Sequence, residues 1–150
     1  MTDFVVDASV AMAWCFEDEA TRYTEAVLQR LAGASALVAA IWPYEVGNVL
    51  LGAERRGRIS QSQSMRFLEL LRSLPITVDE QGITHAWGDV LALGRAYRLT
   101  SYDAAYLELA ARADLPLASQ DDHLLQACRA GGVVVIAPPS DAEAEGSPRT

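Results

Sequence analysis

The sequence has 150 residues, of which 51% are hydrophobic and 21% are charged, and its formal net charge is -8. These values predict one compact domain with its own core and exclude a disordered chain. The acidic total disfavours capture of nucleic acid over a broad basic face, but it allows a local groove lined by arginine, the residue that supplies all 12 basic side chains.

Short apolar segments with few charges alternate along the chain with longer segments of helical pattern. That alternation is typical of a parallel sheet covered by helices, and segments of this kind suit strands that are buried on both faces. We therefore predict a three-layer α/β/α fold with a central parallel sheet of about five strands and Rossmann-like topology. The predicted strands are residues 4–7, 36–40, 75–79, 115–119 and 133–137.

Helical patterns fill the intervals between these strands. An αα-hairpin is predicted between the second and third strands, because Pro43 suits a first helical turn and Ser60 is a candidate N-cap for the next helix. In later segments, Tyr106 is interpreted as a packing residue and Trp87 as a core or boundary residue. The predicted helices are residues 17–33, 43–57, 60–74, 83–98, 101–114 and 120–132.

The domain is predicted to cover residues 1–137. Residues 138–150 are rich in Pro, Ser and Glu without apolar periodicity, so we expect a disordered C-terminal tail. The N-terminus has no basic segment ahead of an apolar stretch, and no apolar run approaches the roughly 18 residues that span a bilayer. The cytoplasm is therefore the expected location.

Four acidic residues occupy corresponding places in this pattern. Asp7 ends the first strand, Glu45 lies in the first turn after the second, Asp103 opens a helix, and Asp121 follows the fourth strand. Because ligand sites of parallel α/β sheets lie beyond the carboxyl ends of the strands, we expect these acids to converge. Two unit charges ~4 Å apart repel by about 4 kcal/mol at an effective dielectric near 20, and Mg²⁺ or Mn²⁺ would offset that repulsion.

An ion of this kind that keeps its water would supply the reagent for hydrolysis of a phosphodiester. Covalent catalysis has little support, because His85 and His123 are the only histidines and no GxSxG motif is present. A receiver domain is excluded because the sequence has no Lys. Ser9 stands where a haloacid-dehalogenase-type phosphatase has its second Asp, and no GxGxxG follows the first strand.

The segments VVDASV, PYEVGNVL, TSYDAAYLELA and LPLASQDDHLLQA occur in this order. Together they resemble the PIN domain family, especially the VapC toxin ribonucleases of bacterial toxin-antitoxin pairs, over residues 3–137. The resemblance implies a Mg²⁺-dependent endoribonuclease, in which Mn²⁺ would substitute, with an RNA substrate, a VapB-like antitoxin as partner, and no membrane association. It further implies a homodimer, for which the hairpin of residues 43–74 has enough apolar surface. The residues that it implies as catalytic and metal-binding are Asp7, Glu45, Asp103 and Asp121, with Ser9, Asn48 and Ser119 in support.

Several simpler interpretations stay open at this point. Asp103 and Asp121 could be ordinary acidic residues at helix N-termini, and Ser9 could cap the helix that follows the first strand. The adjacent Asp122 could replace Asp121 as the fourth acid. For the whole protein, the alternatives are an RNA-processing nuclease without a toxin role and a catalytically silent protein-interaction module.

A basic cluster near the end of the predicted hairpin's first helix also has two interpretations. Arg55, Arg56 and Arg58 could bind RNA phosphates, or they could be cations favoured by the helix C-terminus. The second interpretation is slightly preferred.

Overall fold

The structure is a computed structural model that describes residues 2–137 of the chain. In these residues, four parallel strands form one sheet in the order β3-β2-β1-β4, flanked by helices. The predicted α/β fold with a parallel sheet is therefore confirmed. The strands are β1 (Phe4–Val6), β2 (Ala36–Val38), β3 (Ile76–Val78) and β4 (Leu117–Ala118).

The segment predicted as a fifth strand, residues 133–137, makes only a bridge beside β4. Val135 pairs in parallel with Leu117, whose N–H donates to the Val134 carbonyl at 2.9 Å and whose carbonyl accepts from the Ile136 N–H at 2.9 Å. Because β4 is two residues long, it offers little backbone for a longer ladder. The observed sheet thus differs from the predicted five strands by this one bridged segment.

Helices connect the strands largely as predicted, with two breaks. The segment 17–33 divides into a short 3₁₀ turn and a helix that Thr21 caps, and the segment 83–98 divides before Gly88, whose backbone is not helical. The helices are α1 (Ala8–Ala13), α2 (Arg22–Arg30), α3 (Trp42–Arg55), α4 (Gln61–Ser73), α5 (Gly82–His85), α6 (Asp89–Tyr97), α7 (Ser101–Ala113) and α8 (Asp122–Ala130).

The predicted αα-hairpin is present as α3 and α4, between β2 and β3. Gly57 makes the turn with a φ of +70°, a backbone conformation that favours glycine. Ser60 is the N-cap of α4, as predicted: its Oγ accepts from the Gln63 N–H at 3.1 Å, and its own N–H donates to Gln63 Oε1 at 2.8 Å. This capping box fixes where the second helix begins.

The core lies where β1 and its neighbours are covered by helices. All three residues of β1 are buried, and α7 packs across this strand with buried Tyr106, Leu107 and Leu109. No helix among residues 2–137 is long and apolar enough to cross a membrane. The tail predicted to be disordered, residues 138–150, lies outside the described residues.

Candidate metal centre

Asp7 lies at the carboxyl end of β1 and begins α1 as its N-cap. Its Oδ2 accepts from the Ser119 hydroxyl at 2.5 Å. Its Oδ1 accepts from the Ser9 hydroxyl at 2.7 Å and from the Val10 N–H at 3.2 Å. The cap of α1 is therefore Asp7, and the two serines hold its carboxylate in one orientation.

The environment of Asp7 is unfavourable for a carboxylate despite these donors. The residue is 4% exposed, and burial raises its pKa from 3.8 to about 6, against the lowering effect of the Ser119, Ser9 and Val10 hydrogen bonds. The charge of Asp103 raises the pKa further. A cation beside Asp7 would remove this penalty, because it would stabilise the ionised form.

Glu45 lies in the first turn of α3 and is half-buried. The Tyr106 hydroxyl donates to its Oε1 at 2.5 Å. Burial raises the pKa of Glu45, and the charges of Asp7 and Asp103 add to this effect, while the hydrogen bond from Tyr106 opposes it. Asn48, one turn later, is exposed and lines the same groove as Glu45.

Asp103 lies in the first turn of α7, where its N–H donates to the Thr100 hydroxyl oxygen at 3.1 Å. Burial raises the pKa of the Asp103 carboxyl, the charge of Asp121 raises it further, and His123 lowers it. Asp103 is thus both a residue of a helix N-terminus and a member of the acidic set.

Asp121 is the N-cap of α8, since its Oδ1 accepts from the Leu124 N–H at 3.0 Å. Its own N–H donates to Ser119 Oγ at 3.0 Å, which ties it to the serine that holds Asp7. The neighbouring Asp122 is exposed and lines a different groove, beside Tyr23. Of the two acids that the sequence left open, Asp121 is the one whose charge acts on Asp103.

The structure therefore brings the predicted acids together, with Asp103 electrostatically coupled to each of the other three. The carboxylate oxygens of these four acids lie farther apart than the ligand atoms of a compact metal site would. In the part of the chain that the structure describes, the one set of three ligand atoms within 4.8 Å of one another belongs to His85, Asp89 and Glu108. The wider set fits Mg²⁺ or Mn²⁺, because Mg²⁺ usually keeps several waters and contacts one or two carboxylates directly.

The compact set differs because it already has a balancing cation. His85 Nδ1 lies 3.7 Å from Glu108 Oε1 and 3.8 Å from Asp89 Oδ2. Glu108 also accepts from Arg112 Nε at 2.7 Å, and Arg112 Nη2 donates to Asp79 Oδ2 at 2.6 Å. Arg112 thus offsets the charge of Glu108, whereas burial and mutual repulsion raise the pKa values of Asp7, Glu45 and Asp103.

Comparison with known proteins decides the family. Residues 4–130 match the PIN domain. The chain belongs to the PIN domain family. Among curated proteins, the comparison gave no match.

Solved structures similar to this PIN domain include proteins of toxin-antitoxin systems. PAE2754 from Pyrobaculum aerophilum has 25% sequence identity, a TM-score of 0.62 and 84% of each chain covered. A toxin-antitoxin complex from Klebsiella pneumoniae matches with 20% identity, a TM-score of 0.61, and 92% of this chain and 99% of that chain covered. VapBC2 from Rickettsia felis, bound to a DNA fragment from its promoter, matches with 11% identity, a TM-score of 0.66, and 90% and 98% covered.

The arginine cluster of this PIN domain is not beside the acids. Arg58 pairs with Asp18 at 2.8 Å and stacks over Phe16 at 4.0 Å. Arg55 ends α3 ten residues after Glu45, a separation of about 15 Å along the helix. These contacts give Arg58 a structural partner, and the length of α3 separates Arg55 from Glu45.

Sequence reasoning missed two aromatic residues of the PIN domain. Tyr106 is expected only to pack, yet its hydroxyl donates to Glu45. A signal for such a contact is present in the sequence, because a buried tyrosine hydroxyl needs a partner and Tyr106 lies one turn after Asp103, another predicted acid. Trp87, expected at the core or boundary, is 92% exposed in the break between α5 and α6. It lines an apolar groove of about 410 Å³ that Tyr44 and Tyr102, the neighbours of two acids, also line.

Proposed function

We propose that this PIN domain is a Mg²⁺-dependent endoribonuclease and the toxin of a VapBC-type toxin-antitoxin pair. The observation that carries the proposal is the convergence of Asp7, Glu45, Asp103 and Asp121 at one edge of the sheet, where burial and repulsion favour a bound cation. Membership of the PIN family supports a nuclease, and the similarity to chains from toxin-antitoxin complexes supports the toxin role.

The four acids would hold the ion, directly or through its water. When bound, Mg²⁺ lowers the pKa of a coordinated water, polarises a phosphoryl oxygen and balances charge on the leaving group. Ser9 and Ser119 keep Asp7 in place for this task, and Ser119 also joins Asp7 to the Asp121 backbone. No side chain of the protein is required as a covalent nucleophile.

RNA would approach along the groove that opens beside Glu45. This groove has a volume of about 670 Å³, and its lining includes Asn48 together with the exposed Tyr44 and Tyr102. An amide can hydrogen-bond to phosphate or sugar, and exposed tyrosines can stack on unpaired bases. These contacts require no broad basic face, which the net charge of -8 disfavours. The groove therefore suits single-stranded RNA.

Protein partners would cover apolar surface near the acids and on the hairpin. We propose a VapB-like antitoxin that blocks the groove beside Glu45, and a homodimer that uses the hairpin of residues 43–74. Exposed Leu51 on α3, with Met65 and Leu70 on α4, supports the second contact, since exposed apolar clusters often mark interfaces. The cytoplasm, where RNA substrates are present, is the proposed location.

Incubation of the purified chain with unstructured and structured RNA tests the enzymatic part. We expect cleavage with Mg²⁺ or Mn²⁺ and none with a chelator, because no protein nucleophile replaces the metal-activated water. Cleavage that persists in chelator would contradict metal dependence. A protein that cuts none of the RNAs under any of these conditions would favour the silent interaction module.

Expression of the chain alone in a bacterial host tests the toxin part. We expect growth arrest that is relieved by co-expression of the cognate antitoxin, because a free toxin would degrade essential RNA. Normal growth together with RNA cleavage by the purified protein would instead support an RNA-processing PIN nuclease. Colony counts after induction, with an empty vector as control, give the result.

A further inference from the structure

Tyr106 connects two helices that carry different acids of the candidate centre. It is 1% exposed and lies on α7, one turn after Asp103, so the two residues share a face of that helix. Its hydroxyl donates to Glu45 Oε1, on α3, at 2.5 Å. A single helix thus supplies one acid of the centre and the hydrogen bond that holds another.

Glu45 depends on this anchor, whereas Asp7 and Asp121 have others. Asp7 is held by two serines and a backbone N–H, and Asp121 is held as a helix cap. Glu45 has a longer side chain, is half-buried, and is repelled by the charges of Asp7 and Asp103. Without a donor on the core side, these charges would favour rotamers that carry its carboxylate away from the centre.

The hydrogen bond from Tyr106 opposes that movement because a neutral buried donor to a carboxylate makes a strong, charge-assisted bond. The phenol ring is packed in the core, so the position of the donor is fixed. The bond uses one oxygen of Glu45 and leaves the second available as a metal ligand. This is the arrangement in which a partner outside the metal's own ligands orients a ligand.

We propose that Tyr106 is a positioning residue, which holds the Glu45 carboxylate at the acidic centre and so increases the affinity of that centre for a divalent ion. The inference rests on the proposed function, because it assumes that Glu45 binds the ion. It makes Tyr106 part of the metal centre although its hydroxyl does not itself contact the metal.

Binding of Mn²⁺ to the purified 150-residue protein, measured by electron paramagnetic resonance in the absence of RNA, tests the inference. Tyr106→Phe keeps the ring and removes the hydroxyl, and we expect about tenfold weaker Mn²⁺ binding, the usual scale for loss of an outer-sphere partner. In a Glu45→Ala background, which has no carboxylate for Tyr106 to hold, the same substitution should change the affinity less than about twofold, since the effect acts through Glu45. The matched control is Tyr97→Phe, because the Tyr97 hydroxyl lies beside Gly131 and not beside Glu45. This variant should bind Mn²⁺ as the unmodified protein does.

Each result has a distinct meaning. Equal Mn²⁺ affinity of Tyr106→Phe and the unmodified protein would overturn the positioning role and leave the proposed function standing. An equally large loss in the Glu45→Ala background would also overturn it, because the effect would then be general. Failure of the unmodified protein to bind Mn²⁺ would overturn the metal centre and this inference together.

A crystal of the unmodified protein soaked in MnCl₂ gives a second readout that requires no variant to fold. We expect Tyr106 Oη within about 3 Å of Glu45 Oε1 while Glu45 contacts the ion or one of its waters. A Glu45 side chain that leaves Tyr106 in order to reach the ion would overturn the proposal.

Discussion

Replacement of Asp7 by asparagine should abolish RNA cleavage and, at the same time, stabilise the metal-free protein. Asparagine keeps the volume of the side chain and an oxygen that can accept from Ser9 or Ser119, but it removes the charge. If Asp7 holds the ion as proposed, its loss should cost several kcal/mol of transition-state stabilisation, on the order of a thousandfold in rate. Initial rates of RNA cleavage at saturating Mg²⁺ measure this effect.

The gain in stability follows from the raised pKa of Asp7. Because the folded-state pKa of about 6 exceeds the ordinary 3.8, the folded protein binds more protons than the unfolded chain between these values, and stability falls as the pH rises through this window. A shift of about two pKa units corresponds to about 3 kcal/mol at neutral pH. Asp7→Asn should recover about 2 kcal/mol of this, or roughly 4–8 °C in melting temperature.

Thermal melts with and without Mg²⁺ test the linked effects. Mg²⁺ should raise the melting temperature of the unmodified protein but not that of Asp7→Asn, since an ion that binds only the folded state stabilises it. Below a pH of about 4, the two metal-free proteins should melt nearly together, because Asp7 is then neutral. The control is Asp122→Asn, at the exposed residue next to Asp121. This substitution should change neither the rate of RNA cleavage nor the melting temperature. An unchanged cleavage rate in Asp7→Asn would contradict the assignment of this residue.

The fold and the convergence of the acids could be predicted because both depend on simple geometry. Alternating apolar and helical segments specify a parallel sheet, and the carboxyl ends of parallel strands share one edge. Asp7 and Asp121 follow neighbouring strands β1 and β4, so their meeting required no knowledge of side-chain packing. Asp121 is preferred over the adjacent Asp122 by its place in the resembling segment, but its role as the N-cap of α8 depends on where that helix begins, which the pattern does not specify.

Contacts between distant helices were beyond sequence reasoning. Tyr106 and Glu45 are 61 positions apart on different helices, and periodicity identifies the buried face of α7 without naming the partner of a hydroxyl on it. Trp87 is exposed in a turn, because the helix predicted over residues 83–98 is divided into α5, which ends at His85, and α6, which begins at Asp89. A periodic pattern that spans both pieces gives no indication of that break.

Loss of the partly buried Arg112 side chain on α7 should destabilise the fold strongly. It pairs with Glu108 and Asp79, whose exposed fractions are 5% and 9%. Replacement by methionine, which is similar in length, leaves both carboxylates buried without their cation. Removing one partner of a buried ion pair costs about 3–5 kcal/mol, so we expect a fall in melting temperature of roughly 10 °C at neutral pH.

The pH dependence and a second substitution separate loss of charge balance from loss of packing. Burial would raise the pKa of Asp79, but the hydrogen bonds and charge of Arg112 hold this pKa below the ordinary 3.8. The stabilisation that Asp79 contributes is therefore present above pH 3.8 and is lost as the pH falls through the folded-state pKa. In Arg112→Met the penalty should therefore shrink in acid, where the unpaired Asp79 carboxyl protonates. Adding Glu108→Gln should restore part of the lost melting temperature at neutral pH, because it removes one of the buried charges.

Arg66→Met, on the exposed face of α4, is the matched control, and its free energy of unfolding should stay within about 0.5 kcal/mol of that of the unmodified protein. A melting temperature of Arg112→Met that stays equally low in acid and with Glu108→Gln would mean that the guanidinium acts by packing rather than by offsetting the charge of the two carboxylates.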